Sequence, residues 1–220
     1  MKAAIVIAME SEAAPLKAAL KDAECFSLCG FKGFKGSADG GEIAAIMSGE
    51  GKVNAALAAM AIINFFKPDV VMNFGIAGGL GKTPKGGKLV AGDVWEHDFD
   101  ITAAGYLPGK FRGRADDETA KTVVEAIGGE RGTVATGDVF VADSARAKQI
   151  AENFGATACE MECAGVFAAA MALNTPFVAV KYISDDADSS AKVSMDENVA
   201  PLSERIAADI LVAFGALSGK

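Results

Sequence analysis

The sequence of 220 residues contains a single histidine and only four cysteines, so it has few of the side chains that bind transition metals. The cysteines form two close pairs, Cys25 with Cys29 and Cys159 with Cys163, and the three-residue gap within each pair fits no common zinc motif. We therefore expect four buried, free thiols and no bound metal.

Long apolar runs and an excess of basic residues are also missing. No stretch reaches the ~18 uninterrupted apolar residues typical of a membrane span. The apolar N-terminal run is short and gives way at once to Glu10 and Glu12, which does not fit a cleavable signal. With 21 Lys and Arg against 29 Asp and Glu, the formal net charge is −8, which disfavours nucleic acid and anionic membranes as partners. We expect a cytoplasmic protein that binds neither.

What the sequence does contain is typical of an α/β fold. Hydrophobic residues make up 51% of the chain, and 25 glycines allow many tight turns. The predicted strands cover residues 2–8, 69–73, 89–96, 132–136, 157–160 and 176–183, the predicted helices cover 11–20, 54–66, 116–127, 144–153, 161–173 and 196–217, and residues 25–48 form a meander of short strands. Strands that alternate with helices predict a mixed, mostly parallel twisted sheet with helices on both faces. No linker or repeat divides the chain, so we expect one domain over residues 1–220.

The predicted strand 176–183 ends in Ser184 followed by Asp185, Asp186 and Asp188. In open α/β sheets, ligands bind just outside the carboxyl ends of the strands, so carboxylates at this edge are well placed for proton chemistry. A solvated acidic turn is the simpler alternative, and the segment alone does not decide between the two.

Other turns are less specific when each is taken alone. Residues 75–79 lack the dinucleotide-binding glycine spacing and are expected to form a tight strand-to-helix turn, and residues 48–52 are too short for a phosphate-binding P-loop. Glu160 and Glu162 at the start of a helix are explained equally well by the helix dipole. Residues 97–100 (HDFD) are more typical of a polar surface or interface edge than of a metal site.

Seven blocks, taken in order along the chain, carry a more specific signal. They are Ala8-Met9-Glu10-Ser11-Glu12, Ser48-Gly49-Glu50-Gly51-Lys52-Val53-Asn54-Ala55-Ala56, residues 68–79 (PDVVMNFGIAGG), residues 97–102 (HDFDIT), Gly137-Asp138-Val139-Phe140, Glu160-Met161-Glu162 and residues 183–188 (ISDDAD). In this order they resemble the nucleoside phosphorylase superfamily, and within it the bacterial 5′-methylthioadenosine/S-adenosylhomocysteine nucleosidases. The resemblance runs nearly end to end and implies a nucleoside phosphorylase-like fold that cleaves an N-glycosidic bond.

The resemblance implies specific roles in the chemistry. Asp185 matches the general acid that protonates N7 of the leaving purine, which requires a proton held near neutral pH. Ser184 is placed to orient this acid, and Glu12 matches the carboxylate that activates the attacking water.

The resemblance also assigns the substrate contacts. Glu162 matches the residue that binds the ribose 2′- and 3′-hydroxyls, with Met161 packed against the sugar. Phe140 matches the aromatic side chain that stacks on the base, and the backbone of Val141 reads the base edge. Such a site needs no metal and no cofactor. By the same resemblance we expect a homodimer that binds a small-molecule purine nucleoside.

Hydrolysis is expected rather than phosphorolysis. Phosphorylases of this superfamily hold phosphate with arginines near the N-terminus and in the early loops, whereas this chain has no arginine before Arg112. Glu12 would also repel a phosphate dianion. The alternatives are a purine nucleoside phosphorylase, or a nucleoside-binding protein in which catalysis is weakened.

Weakened catalysis is considered because two positions near the expected water depart from the family. Ile76 stands where the family usually has a serine, and Lys181 stands where it usually has an arginine. Lysine keeps the charge but loses the planar fork of arginine, so the water network must differ.

A third departure lies in the pocket for the 5′ substituent. Glu50 replaces the usual aliphatic residue, and a carboxylate in an apolar pocket is unfavourable unless it finds a partner. Met9, Ile101, Ala104 and Met195 correspond to other positions of this pocket, and Ala104 and Met195 replace larger aromatics. One hypothesis is a polar 5′ substituent, such as a hydroxyl or an amino-bearing tail, whereas a carboxylate-bearing tail, as in futalosine, would be repelled. The alternative is that Glu50 turns away and pairs with Lys52.

Overall fold

The computed structural model describes residues 1–219 and contains ten strands and six α-helices. The strands are β1 (Lys2–Ile7), β2 (Lys21–Leu28), β3 (Phe31–Ala38), β4 (Gly41–Met47), β5 (Val70–Gly79), β6 (Lys88–Glu96), β7 (Lys110–Arg114), β8 (Glu130–Thr136), β9 (Ala158–Glu160) and β10 (Phe177–Asp185). The helices are α1 (Glu10–Ala19), α2 (Lys52–Phe66), α3 (Asp117–Ile127), α4 (Ser144–Phe154), α5 (Cys163–Ala172) and α6 (Ala191–Ser218).

All ten strands belong to one mixed sheet. Five strand pairings are parallel, and they join β4 to β1, β1 to β5, β5 to β10, β6 to β8 and β8 to β9. The other five are antiparallel and include the β2–β3–β4 meander expected from the sequence. Because β10 pairs with both β5 and β6, the strands β5, β10, β6, β8 and β9 close into a ring.

Helices cover both faces of the sheet, which confirms the predicted α/β architecture. On one face α2 and α5 pack together over an apolar cluster that includes Ile62 and Val166. On the other face α1, α3 and α6 cover a second cluster that includes Leu16, Val123 and Ile206. All nine residues of β10 are buried, as the apolar run at its start predicts for a strand covered on both faces.

Two predictions from the sequence were wrong. Residues 75–79 were expected to form a strand-to-helix turn, but they continue β5, because Gly78 and Gly79 pair with β9 while residues up to Gly78 pair with β10. Cys25 and Cys29 were expected to be buried, but both are exposed, because they lie on or next to β2 at the edge of the sheet. Cys159 and Cys163 are buried and free as expected. Within residues 1–219, no helix combines the length and the apolar character needed to cross a membrane.

Candidate active site

A cavity of about 410 Å³ opens beside the carboxyl ends of β5 and β10 and the start of α1. It collects most of the site residues predicted from the sequence, which lie on seven separate segments of the chain. Those that line it are Met9, Glu12, Glu50, Ile76, Phe140, Val141, Met161, Glu162, Lys181, Ser184, Asp185 and Met195. Ile101 and Ala104 do not line it; both lie at the surface, in or next to a single turn of 3₁₀-helix.

Asp185 is the last residue of β10 and is only 2% exposed, whereas the neighbouring Asp186 is exposed. Its Oδ2 accepts a hydrogen bond from Ser184 Oγ at 2.7 Å, and its Oδ1 accepts one from the Ala187 amide at 2.9 Å. Burial raises the pKa of the Asp185 carboxyl above its usual range, and the nearby charges of Asp186 and Asp188 add to the increase. The segment is therefore not a uniformly solvated acidic turn, and it presents one buried acid whose pKa is raised.

Glu12 lies in the first turns of α1 and is 1% exposed. Its Oε1 accepts a hydrogen bond from the Ile76 amide at 3.0 Å, and its Oε2 accepts one from the Met9 amide at 3.0 Å. Burial raises the pKa of Glu12, although the two amides and the charge of Lys181 oppose this shift. The serine that the family usually has at position 76 is absent, but the backbone of Ile76 still fixes the carboxylate.

Two glycines of β5 leave room for the two carboxylic groups. A Cβ atom at Gly75 would lie 3.2 Å from Glu12 Oε1, and a Cβ atom at Gly78 would lie 3.1 Å from Asp185 Oδ1. Both positions are lateral neighbours of β10 in the sheet, facing Lys181 and Asp185 respectively. The glycine-rich end of β5 therefore brings the backbone close to both candidate catalytic side chains.

Lys181 is fully buried in β10, and its Nζ lies 2.7 Å from Glu160 Oε2. Burial alone would lower the pKa of this ammonium group, but Glu160 and the neighbouring acidic side chains raise it to about 12. Glu160 also accepts hydrogen bonds from Thr136 Oγ1 at 2.5 Å and from the amides of Glu162 and Cys163 at 3.0 and 2.8 Å. Glu160 thus binds the amides of the N-cap residue Glu162 and of Cys163, where α5 begins rather than at residue 161 as expected.

Glu160 is a site residue that sequence reasoning missed, together with Lys192 on the first turn of α6. The signal for Glu160 was present in the Glu160-Met161-Glu162 block, but the sequence does not show that both glutamates of this block face the cavity. Nothing in the local sequence distinguishes Lys192 from an ordinary solvent-exposed lysine.

Glu162 connects the cavity to the loop before α2, because its Oε1 accepts a hydrogen bond from the Gly51 amide at 3.0 Å. Burial, followed by the nearby charge of Glu160, raises its pKa to about 8. The Phe140 ring also lines the cavity, while 44% of the residue stays exposed. A flat ring beside a carboxylic acid is an arrangement that can bind a base and a polyhydroxylated sugar together.

The expected alternative of a pair between Glu50 and Lys52 is not formed. Lys52 instead pairs with Asp98 and, at 3.0 Å, with Glu96 Oε2. Asp98 Oδ2 also accepts a hydrogen bond from the Asp138 amide at 2.8 Å, which anchors the loop that carries Phe140. Asp98 therefore belongs to an internal polar network, and Glu50 remains on the cavity wall.

The described residues contain no group of three or more His, Cys, Asp and Glu side chains arranged to hold a metal ion. The only histidine, His97, is partly buried, and desolvation lowers its pKa.

Comparison with known families agrees with this geometry. A family model described as the phosphorylase superfamily matches residues 2–216. The chain belongs to the phosphorylase superfamily. The family resemblance expected from the seven sequence blocks is thereby confirmed, and so is the expected fold.

Among solved structures, this superfamily member is similar to 5′-methylthioadenosine/S-adenosylhomocysteine nucleosidases. The enzyme from Neisseria meningitidis, in complex with methylthio-immucillin-A, is 32% identical with a TM-score of 0.92, and the match covers 98% of this chain and 99% of that one. The enzyme from Colwellia psychrerythraea 34H, in complex with adenine, is also 32% identical with a TM-score of 0.94, and the match covers 100% and 97%. A futalosine hydrolase mutant of Helicobacter pylori is 27% identical with a TM-score of 0.92 over 97% and 98%.

Proposed function

We propose that the protein is a purine nucleosidase that hydrolyses the N-glycosidic bond of 5′-methylthioadenosine, S-adenosylhomocysteine or a related adenine nucleoside. The observation that carries this proposal is the pair of buried carboxylic side chains, Glu12 and Asp185, on one cavity. Each is held by two hydrogen bonds, and burial raises the pKa of each. The similarity to nucleosidases of known structure supports the same reaction class.

In the proposed reaction Asp185 donates its proton to N7 of the purine as the C1′–N9 bond breaks. The electron pair of that bond stays on the purine, which leaves as a neutral base. Glu12 takes a proton from water as the water oxygen bonds to C1′ of the sugar. Proton exchange with solvent then returns Asp185 to its acid form and Glu12 to its carboxylate form.

The remaining side chains bind and orient the nucleoside. Glu162, with Met161 beside it, contacts the ribose hydroxyls, and its position is fixed by the Gly51 amide. Phe140 stacks on the base, whose edge meets the Val141 backbone.

Water is the better acceptor because the cavity lacks an available cationic site for phosphate. No arginine lines it within the described chain, and its buried cation, Lys181, is paired with Glu160. A phosphate dianion beside Glu12 would meet a carboxylate whose hydrogen bonds come from the backbone.

The direct test is adenine release from 5′-methylthioadenosine, S-adenosylhomocysteine and adenosine, with inosine as a further purine nucleoside, in buffer free of phosphate. Release of base at a rate that added phosphate does not change is expected. Release that depends on phosphate would instead support a phosphorylase, and binding of the nucleosides without release of base would support a nucleoside-binding protein.

We also propose that the protein forms a homodimer in the cytoplasm. Large apolar side chains are exposed on α2 and on the loop after β6, including Val53, Leu57, Phe65 and Leu107, the last of which is 86% exposed. A second copy of the chain that covers this surface would remove it from water. Analytical ultracentrifugation is expected to give twice the chain mass, and a monomer at micromolar concentration would contradict the proposal.

The proposed cytoplasmic location is supported by the four free cysteines, which are typical of proteins in a reducing compartment.

A further inference from the structure

The cavity wall contains more acidic than basic side chains. The acidic side chains are Glu12, Glu50, Glu160, Glu162 and Asp185, and the basic ones are Lys181 and Lys192. Both ammonium groups already have acidic partners, because Lys181 pairs with Glu160 and Lys192 pairs with Asp196 on the next turn of α6. The cavity therefore has no spare positive charge with which to hold an anionic substituent.

Glu50 differs from the other acidic side chains of the cavity. The other four accept hydrogen bonds from backbone amides, and Glu160 has Lys181 in addition. Within residues 1–219, the Glu50 carboxylate has no hydrogen-bond or ion-pair partner. Only its backbone is anchored, where the carbonyl oxygen accepts a hydrogen bond from Asn54 Nδ2 at 3.0 Å. Glu50 is exposed to solvent, and a ligand that covers this wall of the cavity would replace water around its charge.

Glu50 lies on the sugar side of the cavity. The next residue, Gly51, donates its amide hydrogen to Glu162 Oε1, the candidate ribose-binding carboxyl. The charge of Glu50 also contributes to raising the pKa of Glu12, on the side of the attacking water. Asp185, at the base end, lies on β10 and takes its neighbouring charges from Asp186 and Asp188 instead. Glu50 therefore borders the sugar site, and the family resemblance assigns its position to the pocket for the 5′ substituent.

We propose that Glu50 selects adenine nucleosides whose 5′ substituent carries an ammonium group. This inference rests on the nucleosidase function proposed above. A neutral alkylthio tail is accommodated by Met9 and Met195 but leaves the Glu50 charge without a partner. A tail whose only charge is a carboxylate is disfavoured, because Glu50 repels it and Lys192 is already paired with Asp196.

Three nucleosides with 5′ tails of matched size test the charge preference directly. They are the adenosine derivatives with a 5′-propylthio, a 5′-(2-aminoethylthio) and a 5′-(carboxymethylthio) group, which are neutral, cationic and anionic at neutral pH. We expect kcat/KM to be greatest for the cationic tail and smallest for the anionic tail. In Glu50→Gln the preference for the amino tail over the propyl tail should fall by about fivefold, the upper end for a solvent-accessible ion pair. Raising the salt concentration should reduce the preference in the parent protein.

Glu24→Gln is the matched control, because Glu24 is an exposed glutamate on β2 outside the cavity, and it should leave the preference unchanged. An equal amino-to-propyl ratio in the parent and in Glu50→Gln would overturn the inference, and so would a parent protein that prefers the propyl tail. If none of the three nucleosides is cleaved, the proposed nucleosidase function fails by itself. Calorimetric Kd values for the same nucleosides then test the charge preference. Tighter binding of the amino tail than of the propyl tail, reduced in Glu50→Gln, would support the inference, and an equal ratio in the two proteins would overturn it.

Discussion

Ser184 Oγ lies 2.7 Å from Asp185 Oδ2 and 3.3 Å from the carbonyl oxygen of Ala77. A serine hydroxyl has one proton to donate and can also accept. When Asp185 is ionised, the hydroxyl donates to the carboxylate; when Asp185 is protonated, the acid can donate to Ser184 while the serine donates to Ala77. Both protonation states of Asp185 therefore keep a hydrogen bond, which suits an acid that loses and regains a proton in every cycle.

Asp185→Asn removes the proton donor with little change in shape. We expect kcat to fall by ~10²–10⁴-fold, the usual contribution of a positioned general acid, with a much smaller change in KM. Asp186→Asn is the matched control: Asp186 is exposed and pairs with Lys85 at 3.0 Å, so activity should stay close to that of the parent. Equal losses in the two variants, measured as adenine release under steady-state conditions, would point to a general effect of local charge instead of proton donation.

Glu12→Gln tests the base on the opposite side of the sugar. An amide keeps the size of the side chain but cannot take a proton from water, so kcat should again fall by ~10²–10⁴-fold. Nucleoside binding, measured by calorimetry, should persist. Glu10 on the same helix is exposed, so Glu10→Gln should retain activity. Retention of activity in Glu12→Gln would show that this carboxylate does not activate the water.

Lys181 and Glu160 form a buried ion pair whose partners depend on each other. Lys181→Met leaves the Glu160 charge buried without its counterion and should lower the free energy of unfolding by about 3–5 kcal/mol. The double variant Lys181→Met/Glu160→Gln should recover part of that loss, because no isolated charge remains. Urea denaturation of the two single variants and the double variant measures the coupling, and strictly additive losses would contradict it.

The pH dependence of stability follows from Glu162. Its pKa is about 8 in the folded protein against an ordinary value of 4.5, so between these values the folded state binds the extra proton. The free energy of unfolding therefore loses this contribution as the pH rises from about 5 to about 8. Glu162→Gln cannot titrate and should lose less stability across the same range. Urea denaturation at both pH values checks this prediction, and parallel losses in the two proteins would contradict it.

The sequence predicted the elements whose burial is continuous and missed the contacts that join distant segments. β10 opens with four buried apolar residues, 177–180, so the strand could be recognised before its neighbours were known. The glycines of residues 75–79 are typical of a turn, and only pairing with β9 and β10 keeps them in β5. The contact between Glu160 and Lys181 has no local signature, since it forms because both segments lie next to β5.

The same limit applies to the site. Twelve of the side chains expected from the family resemblance line one cavity. Ile101 was expected in the same pocket, but it does not line this cavity in the described chain. The free carboxylate of Glu50 became evident only when Lys52 was seen to pair with Glu96 and Asp98. Residue types indicate which chemistry is available, and packing decides which groups are left without a partner.

The most direct test of the central claim, that water and not phosphate accepts the sugar, is the identity of the product. The protein is incubated with 5′-methylthioadenosine in an excess of inorganic phosphate, and the reaction is followed by phosphorus NMR together with adenine release. We predict complete release of adenine with only the inorganic phosphate signal, so that the sugar product is free 5-methylthioribose. Growth of a sugar 1-phosphate signal in step with adenine would contradict the assignment of Glu12 as the group that activates water.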